Sequence, residues 1–255
     1  MSTSRRPSLY YSAILLLTVL LASCVNTRKA TYFNDVADTS VSPAITIPES
    51  FIQKNDLLAI TVSSPNPEAT AIYNLPTPVN ASQPTGYLVN SDGYLLFPGL
   101  GSIKAEGLTK SQLKANITQA LTEKKLLVDP IVSIRWQNFK VTVLGEVANP
   151  TVVPVPSEKI TLLEALGFAG DVTIYGRRDN ILVIREENGV KTTRRLNLNT
   201  GEIFTSPYYY LKSNDIVYVE PNKSKVASAS RTNQWLPVIL GALSLGVILI
   251  DRVGR

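Results

Sequence analysis

The chain has 255 residues, of which 25 are Lys or Arg and 20 are Asp or Glu, and its net charge of +5 is too weak a bias to indicate nucleic acid. It contains no histidine, which removes Ser-His-Asp and Cys-His catalysis together with the commonest metal ligand. A single cysteine leaves no intrachain disulfide to form, and the length suits one large or two small domains.

The first segment reads as an export signal. Arg5 and Arg6 form a positive n-region, Ala13 to Leu21 an apolar h-region, and Leu21-Ala22-Ser23-Cys24 closes it with small residues suited to a signal peptidase. The spacing resembles a bacterial lipobox, which implies removal of residues 1–23 and diacylation of Cys24; an ordinary signal peptide with an incidental cysteine is the alternative. Val25 and Asn26 follow rather than an aspartate, which favours the outer membrane over inner-membrane retention. With Cys24 acylated, no thiolate remains for zinc. Residues 24–48 lack periodicity and read as a tether.

A compact unit is expected over 49–138. Leu57 to Val62 is a β-rich run, and residues 63–85, with five prolines, read as a long loop. Gly86 to Val89 and Tyr94 to Phe97 flank Asn90-Ser91-Asp92-Gly93, which predicts a hairpin. Phe97-Pro98-Gly99-Leu100-Gly101 lacks the spacing and lysine of a phosphate loop. Thr109 and Gln112 form a capping box, and Leu113, Ile117, Ala120 and Leu121 follow at helical spacing. Ile131 to Trp136 alternates as a strand.

A second unit is expected over 139–221. Val141 to Val147 and Val152 to Val155 read as strands about the Asn149-Pro150 turn. Thr161 and Glu164 form another capping box, opening a short helix that stops near Phe168 with Gly170 behind it. Asn180 to Arg185 and Lys191 to Leu198 flank Glu187-Asn188-Gly189 as a second hairpin, and Ile216 to Val219 closes the unit. Arg177-Arg178 and Arg194-Arg195 read as solvated hairpin faces, and Tyr208-Tyr209-Tyr210 as a half-buried strand or loop. Glu186-Glu187 beside Asn188-Gly189 reads as a turn rather than a catalytic carboxylate pair, so no catalytic, cofactor or metal residue is assigned. Lys54-Asn55-Asp56-Leu57-Leu58 and Ser213-Asn214-Asp215-Ile216-Val217 echo one another, both placing Asn-Asp before an apolar strand; simple turns account for the echo.

After a linker over 222–234, residues 235–250 run without a charge and read as a membrane helix. Asn233 is a candidate cap, Pro237 falls in the first turn, and Trp235 and Asp251-Arg252 suit interfacial positions. Gln234, Gly241, Ser244 and Asp251 form a weak polar stripe, and Ala242 with Gly246 a small-xxx-small pair suited to close helix contact. Two acyl chains already anchor a protein, so the helix is expected either to line a pore or to serve as a plain second anchor.

Taken in order, these segments resemble the bacterial outer-membrane polysaccharide export family. Asp56-Leu57, Gly93, Phe97-Pro98, Gly99, Gly107-Leu108-Thr109 and Asp129-Pro130 are similar to its export domain; Asn55 stands where the family usually has glycine. Gly145, Asn149-Pro150, Leu162, Ala165, Ala169-Gly170, Gly176, Leu211 and Asp215 are similar to its soluble-ligand-binding (SLBB) β-grasp domain, present here once. The resemblance implies an α+β fold: a β-rich export domain, a β-grasp-like domain and a C-terminal membrane helix. It implies no enzymatic activity. It further implies a homo-oligomeric periplasmic ring, anchored in the outer membrane by lipid and helix, that conducts capsular or exopolysaccharide. An inner-membrane chain-length regulator is the implied partner. Two other readings stay open: a lipid-anchored glycan-binding or scaffolding protein that forms no pore, and a periplasmic carbohydrate enzyme using two carboxylates.

Overall fold

The computed structural model describes residues 30–37, 49–74, 85–187, 189–228 and 231–253. The signal segment, Cys24 and most of the tether fall outside the described residues. Leu57–Ser63 forms β1, with Leu58, Ile60 and Val62 alternating into the core. It pairs antiparallel with β5, Ile131–Trp136, from Leu58 opposite Trp136 to Ser63 opposite Ile131. On its other side lies β2, the short Tyr87–Leu88.

Two expectations for this unit change. The proline-rich stretch holds a short helix, α1 (Pro67–Thr70), which continues as the 3-10 turn Ala71–Tyr73. The Asn66 side chain caps it by accepting from the Glu68 and Ala69 amides, and Pro67 occupies the first helical position, where its missing amide is harmless. The hairpin about Asn90–Gly93 is a tight turn without a ladder. Asn90 N donates to Tyr94 O at 2.8 Å, but the strand after the turn, β3 (Tyr94–Phe97), pairs instead with β4 (Gly101–Lys104). The cause is the Gly93 carbonyl, which accepts from both Ala105 and Glu106 amides at 3.0 Å and so draws the end of β4 alongside Tyr94. Helix α2 (Lys110–Glu123) opens on the expected Thr109/Gln112 capping box and buries Leu113, Ile117 and Leu121 completely.

The second sheet has five strands: β6 (Lys140–Gly145), β7 (Thr151–Pro154), β9 (Gly176–Glu187), β10 (Val190–Leu196) and β12 (Ile216–Pro221). Their order is β10-β9-β12-β6-β7, and only β12 and β6 run parallel. The expected β9–β10 hairpin forms, with Glu187 opposite Val190. The two-residue strands β8 (Ile160–Thr161) and β11 (Tyr210–Leu211) pair beside it. Helix α3 (Leu162–Phe168) starts on the Thr161/Glu164 capping box and buries Leu162, Ala165 and Leu166, giving the small α+β module expected. One hydrophobic core runs through both sheets, and Trp136 and Phe139 meet edge-on at 6.3 Å where they join.

The segment read as a linker contains helix α4 (Lys223–Ser228), followed by α5 (Arg231–Val253). The expected membrane-spanning helix needs correction: among the described residues, no helix is long and apolar enough to cross a membrane. Sixteen uncharged residues reach only about 24 Å at ~1.5 Å each, short of a hydrocarbon core of about 30 Å. Helix α5 is nonetheless bare, because Trp235, Val238, Ile239, Leu240, Leu245 and Leu249 are all exposed.

Candidate functional site

The echo between Asn55-Asp56 and Asn214-Asp215 is a repeated piece of structure. Both asparagines hold positive φ, 65° and 67°. Asparagine is among the few non-glycine residues that tolerate that conformation, so each can hold its turn. In each copy the aspartate is buried, and its Oδ2 accepts the amide three residues back, from Gln53 or Lys212, at 2.8 Å. Each turn then delivers a strand, β1 or β12, into the centre of its sheet.

The two carboxylates differ in what they meet next. Arg185, on the inward face of β9, closes Asp215: its Nε donates to Oδ1 at 3.0 Å and its Nη2 to Oδ2 at 2.7 Å. Asp56 receives the Trp136 indole Nε1 on Oδ2 at 2.8 Å, and no hydrogen bond to its Oδ1 occurs among the described residues. A cavity of about 80 Å³ lies beside it, between the two sheets. Phe51, Gln53, Asp56 and Trp136 line it from the first unit, and Glu187, Lys212 and Ser213 from the second. Lys212 Nζ pairs with Glu187, Gln53 Nε2 donates to Glu186 O at 3.1 Å, and the Ser213 hydroxyl is buried without a partner among the described residues. Glu158 closes the junction from behind, accepting the Trp136 amide at 2.6 Å and pairing with Lys110.

Burial pushes the Asp56 carboxyl above its ordinary range, and the hydrogen bonds from the Gln53 amide and the Trp136 indole only partly offset it. The folded chain therefore holds this proton more tightly than the unfolded one. Stability from this group is complete below the ordinary carboxylate range and is lost as pH rises through the raised value. Asp56→Asn cannot ionise, so its melting temperature is expected to gain on wild type as pH increases from about 3 to about 7. Parallel profiles in thermal melts would show that folding leaves the Asp56 carboxyl with the pKa it has in the unfolded chain.

The other residues singled out from sequence are spread through the scaffold. Gly93 turns the chain at φ 83°, and Gly99 and Gly107 sit at positive φ either side of β4, with Pro98 opening the first of these turns. Pro130 is buried just before β5, Pro150 lies in the turn from β6 to β7, and Gly170 follows α3 at φ 75°. Leu162 and Ala165 are core residues of α3. Trp235, Gly241, Ala242 and Ser244 are exposed on α5 and Gly246 is partly so, with Ser244 Oγ donating to Gly241 O at 2.8 Å. Only Asp56 of this set reaches the cavity. Phe51, Gln53, Trp136, Glu187, Lys212 and Ser213 were not foreseen as partners, though the Asn-Asp echo marked the two turns that begin beside Gln53 and at Ser213. No group of three or more metal-ligating side chains forms among the described residues.

The arginine pairs divide. Arg194 is exposed and Arg195 pairs with Glu220 at the surface, whereas Arg178 is buried and donates to the Val172 and Thr173 carbonyls at 2.6 and 3.2 Å. Arg178 stacks over Tyr32 at 5.2 Å, and the Tyr32 hydroxyl donates to Asp171. Burial and that carboxylate push the Tyr32 phenol up to about 12. Phe33 N and Asn34 N donate to Leu198 O and Asn199 O at 3.1 and 2.7 Å. This part of the expected tether is therefore docked on the second unit.

The sequence model for polysaccharide biosynthesis/export proteins matches residues 46–137, and that for the SLBB domain matches residues 140–194. Together they take in more than half of the chain and follow the order of the two sheets. The EPS I polysaccharide export outer membrane protein EpsA of Ralstonia solanacearum is 31% identical over 146 residues, covering 55% of this chain and 38% of the relative. The protein of the same name from Ralstonia nicotianae is 30% identical over 159 residues, covering 60% of this chain and 41% of the relative. The matched region thus spans less than half the length of either relative.

Proposed function

Because this chain belongs to the polysaccharide biosynthesis/export family and carries an SLBB domain, we propose that it is an outer-membrane polysaccharide export protein whose copies assemble into a periplasmic ring with an exit channel. The observation that carries the reading is the ordered match of both family regions, together with relatives named as outer-membrane export proteins. The family is one of exporters rather than enzymes, and passing a glycan through a ring requires no covalent chemistry.

In this reading Cys24 carries the lipid anchor, and residues 49–138 and 139–221 build the ring. Leu96, Val128 and Ile131 on the first unit and Phe168 and Ile174 on the second are large apolar side chains left exposed. In the ring reading these side chains supply contacts between neighbouring copies. Different surfaces meeting head to tail close into a ring when the rotation permits. The cargo is a capsular or exopolysaccharide, and an inner-membrane chain-length regulator supplies it.

A second reading is a lipid-anchored scaffold that binds glycan without forming a pore. It is favoured by one observation, that no helix among the described residues is long and apolar enough to cross a membrane. Extraction in mild detergent separates the two. The conduit reading expects a large closed oligomer that conducts in planar bilayers. A monomer or dimer with no conductance at full length would move the assignment to the scaffold.

A further inference from the structure

We propose that the cavity between the two sheets binds one sugar residue of the exported glycan, an assignment that rests on the export reading above. The repeated Asn-Asp turn provides the comparison. In the second unit the buried Asp215 has both oxygens closed by Arg185. In the first unit the corresponding Asp56 is 2% exposed and lines the cavity, with its Oδ1 accepting nothing among the described residues. Ser213 lines the same cavity, and its buried hydroxyl has no partner among the described residues. Buried polar groups are normally hydrogen-bonded, so an acceptor left unpaired beside the cavity favours a ligand that brings a donor.

Charge and shape narrow the class. Lys212 and Glu187 neutralise each other in the wall and burial favours the uncharged Asp56 carboxyl, so the lining selects neither a free cation nor an anion. Phe51, 51% exposed, adds an apolar ring face to the same wall. A neutral polyol with one apolar face meets all three conditions, and a pyranose is such a molecule. At about 80 Å³ the cavity holds several waters, since one needs ~10–15 Å³; that is room for the hydroxyl-bearing edge of one ring.

Trp136 reports on the site, because its indole donates to Asp56 at 2.8 Å. Of the two tryptophans, Trp235 is removed by Trp235→Phe in the otherwise full chain. This protein is titrated with oligosaccharides from partial acid hydrolysis of the producing cell's own polysaccharide. A saturable change in Trp136 emission is expected, weakened about tenfold by Ser213→Ala and by Phe51→Ala, the scale of one lost hydrogen bond or ring contact. Val152→Ala, on an exposed position outside the cavity, is expected to leave it unchanged. No saturable response overturns the proposal, and so does a response that both cavity variants leave intact. A response to guanidinium chloride at matched ionic strength but not to oligosaccharide also overturns it and makes the cavity a cation site. Loss of sugar binding in a ring that still conducts removes the cavity assignment alone. Normal binding in a small, non-conducting species removes the conduit reading alone.

Discussion

Replacing Arg185 by leucine is expected to cost about 3–5 kcal/mol of stability, the usual consequence of leaving a buried carboxylate without its cation. The Arg185 and Asp215 side chains are 6% and 1% exposed, so water cannot take over the vacated role. The guanidinium bonds both carboxylate oxygens and also the Tyr210 carbonyl at 3.1 Å, while its plane lies over the Tyr208 ring at 4.5 Å. Losing it leaves Asp215 held chiefly by the Lys212 amide, at the start of the strand central to the second sheet. Urea unfolding reads the loss as a lowered midpoint with an unchanged slope. The double variant Arg185→Leu with Asp215→Leu is expected to recover much of it, because the charge and its partner then leave together. A single-variant loss below about 1 kcal/mol would place the pair among weak surface bridges and refute its role in holding the turn.

The second large effect is expected at Gly145, where Gly145→Ala should cost about 3 kcal/mol. This residue sits at φ 92°, and a Cβ built on it would stand 2.1 Å from the Val219 carbonyl oxygen. That atom belongs to backbone already engaged, since Glu146 N donates to it at 3.0 Å, so no side chain can swing aside. Left-handed strain contributes about 1–2 kcal/mol. Prising the parallel strands β6 and β12 apart contributes about 1–3 kcal/mol more. Hydrogen exchange at the Val143 and Val217 amides is expected to quicken more than exchange in β1. Equal quickening in both sheets would show that the two units unfold as one and that the clash is not local.

Features written in short-range chemistry could be read from the chain directly. Thr109 with Gln112 and Thr161 with Glu164 close reciprocal hydrogen bonds across one helical turn, so each helix start is fixed by residues within three places of it. The β9–β10 hairpin is equally local. One misread segment is local as well, and the others have partners from farther away. Pro67 suggests a loop by composition, yet it opens a helix because Asn66 precedes it in the capping position. Gly86 to Val89 and Tyr94 to Phe97 do flank a tight turn, but the amides of Ala105 and Glu106 take the Gly93 carbonyl and give β3 a different neighbour. Arg178 looks like half of a solvated pair, and it is buried because the Val172 and Thr173 carbonyls and the Tyr32 ring converge on it.

The repeated Asn-Asp shows where the division falls. The sequence by itself determined that both turns exist, that asparagine holds each in the left-handed region, and that an apolar strand follows, because all of this lies within five consecutive residues. Only the tertiary structure decided that the two carboxylates have different fates. Arg185 is 30 residues from Asp215 and Trp136 is 80 from Asp56, and each arrives through sheet pairing. A guanidinium closes both oxygens of one carboxylate; an indole has a single donor and leaves the other oxygen without a partner among the described residues, in a side chain that lines a cavity. That difference depends on which strand ends beside which turn, and a pattern of neighbouring residues carries no information about it.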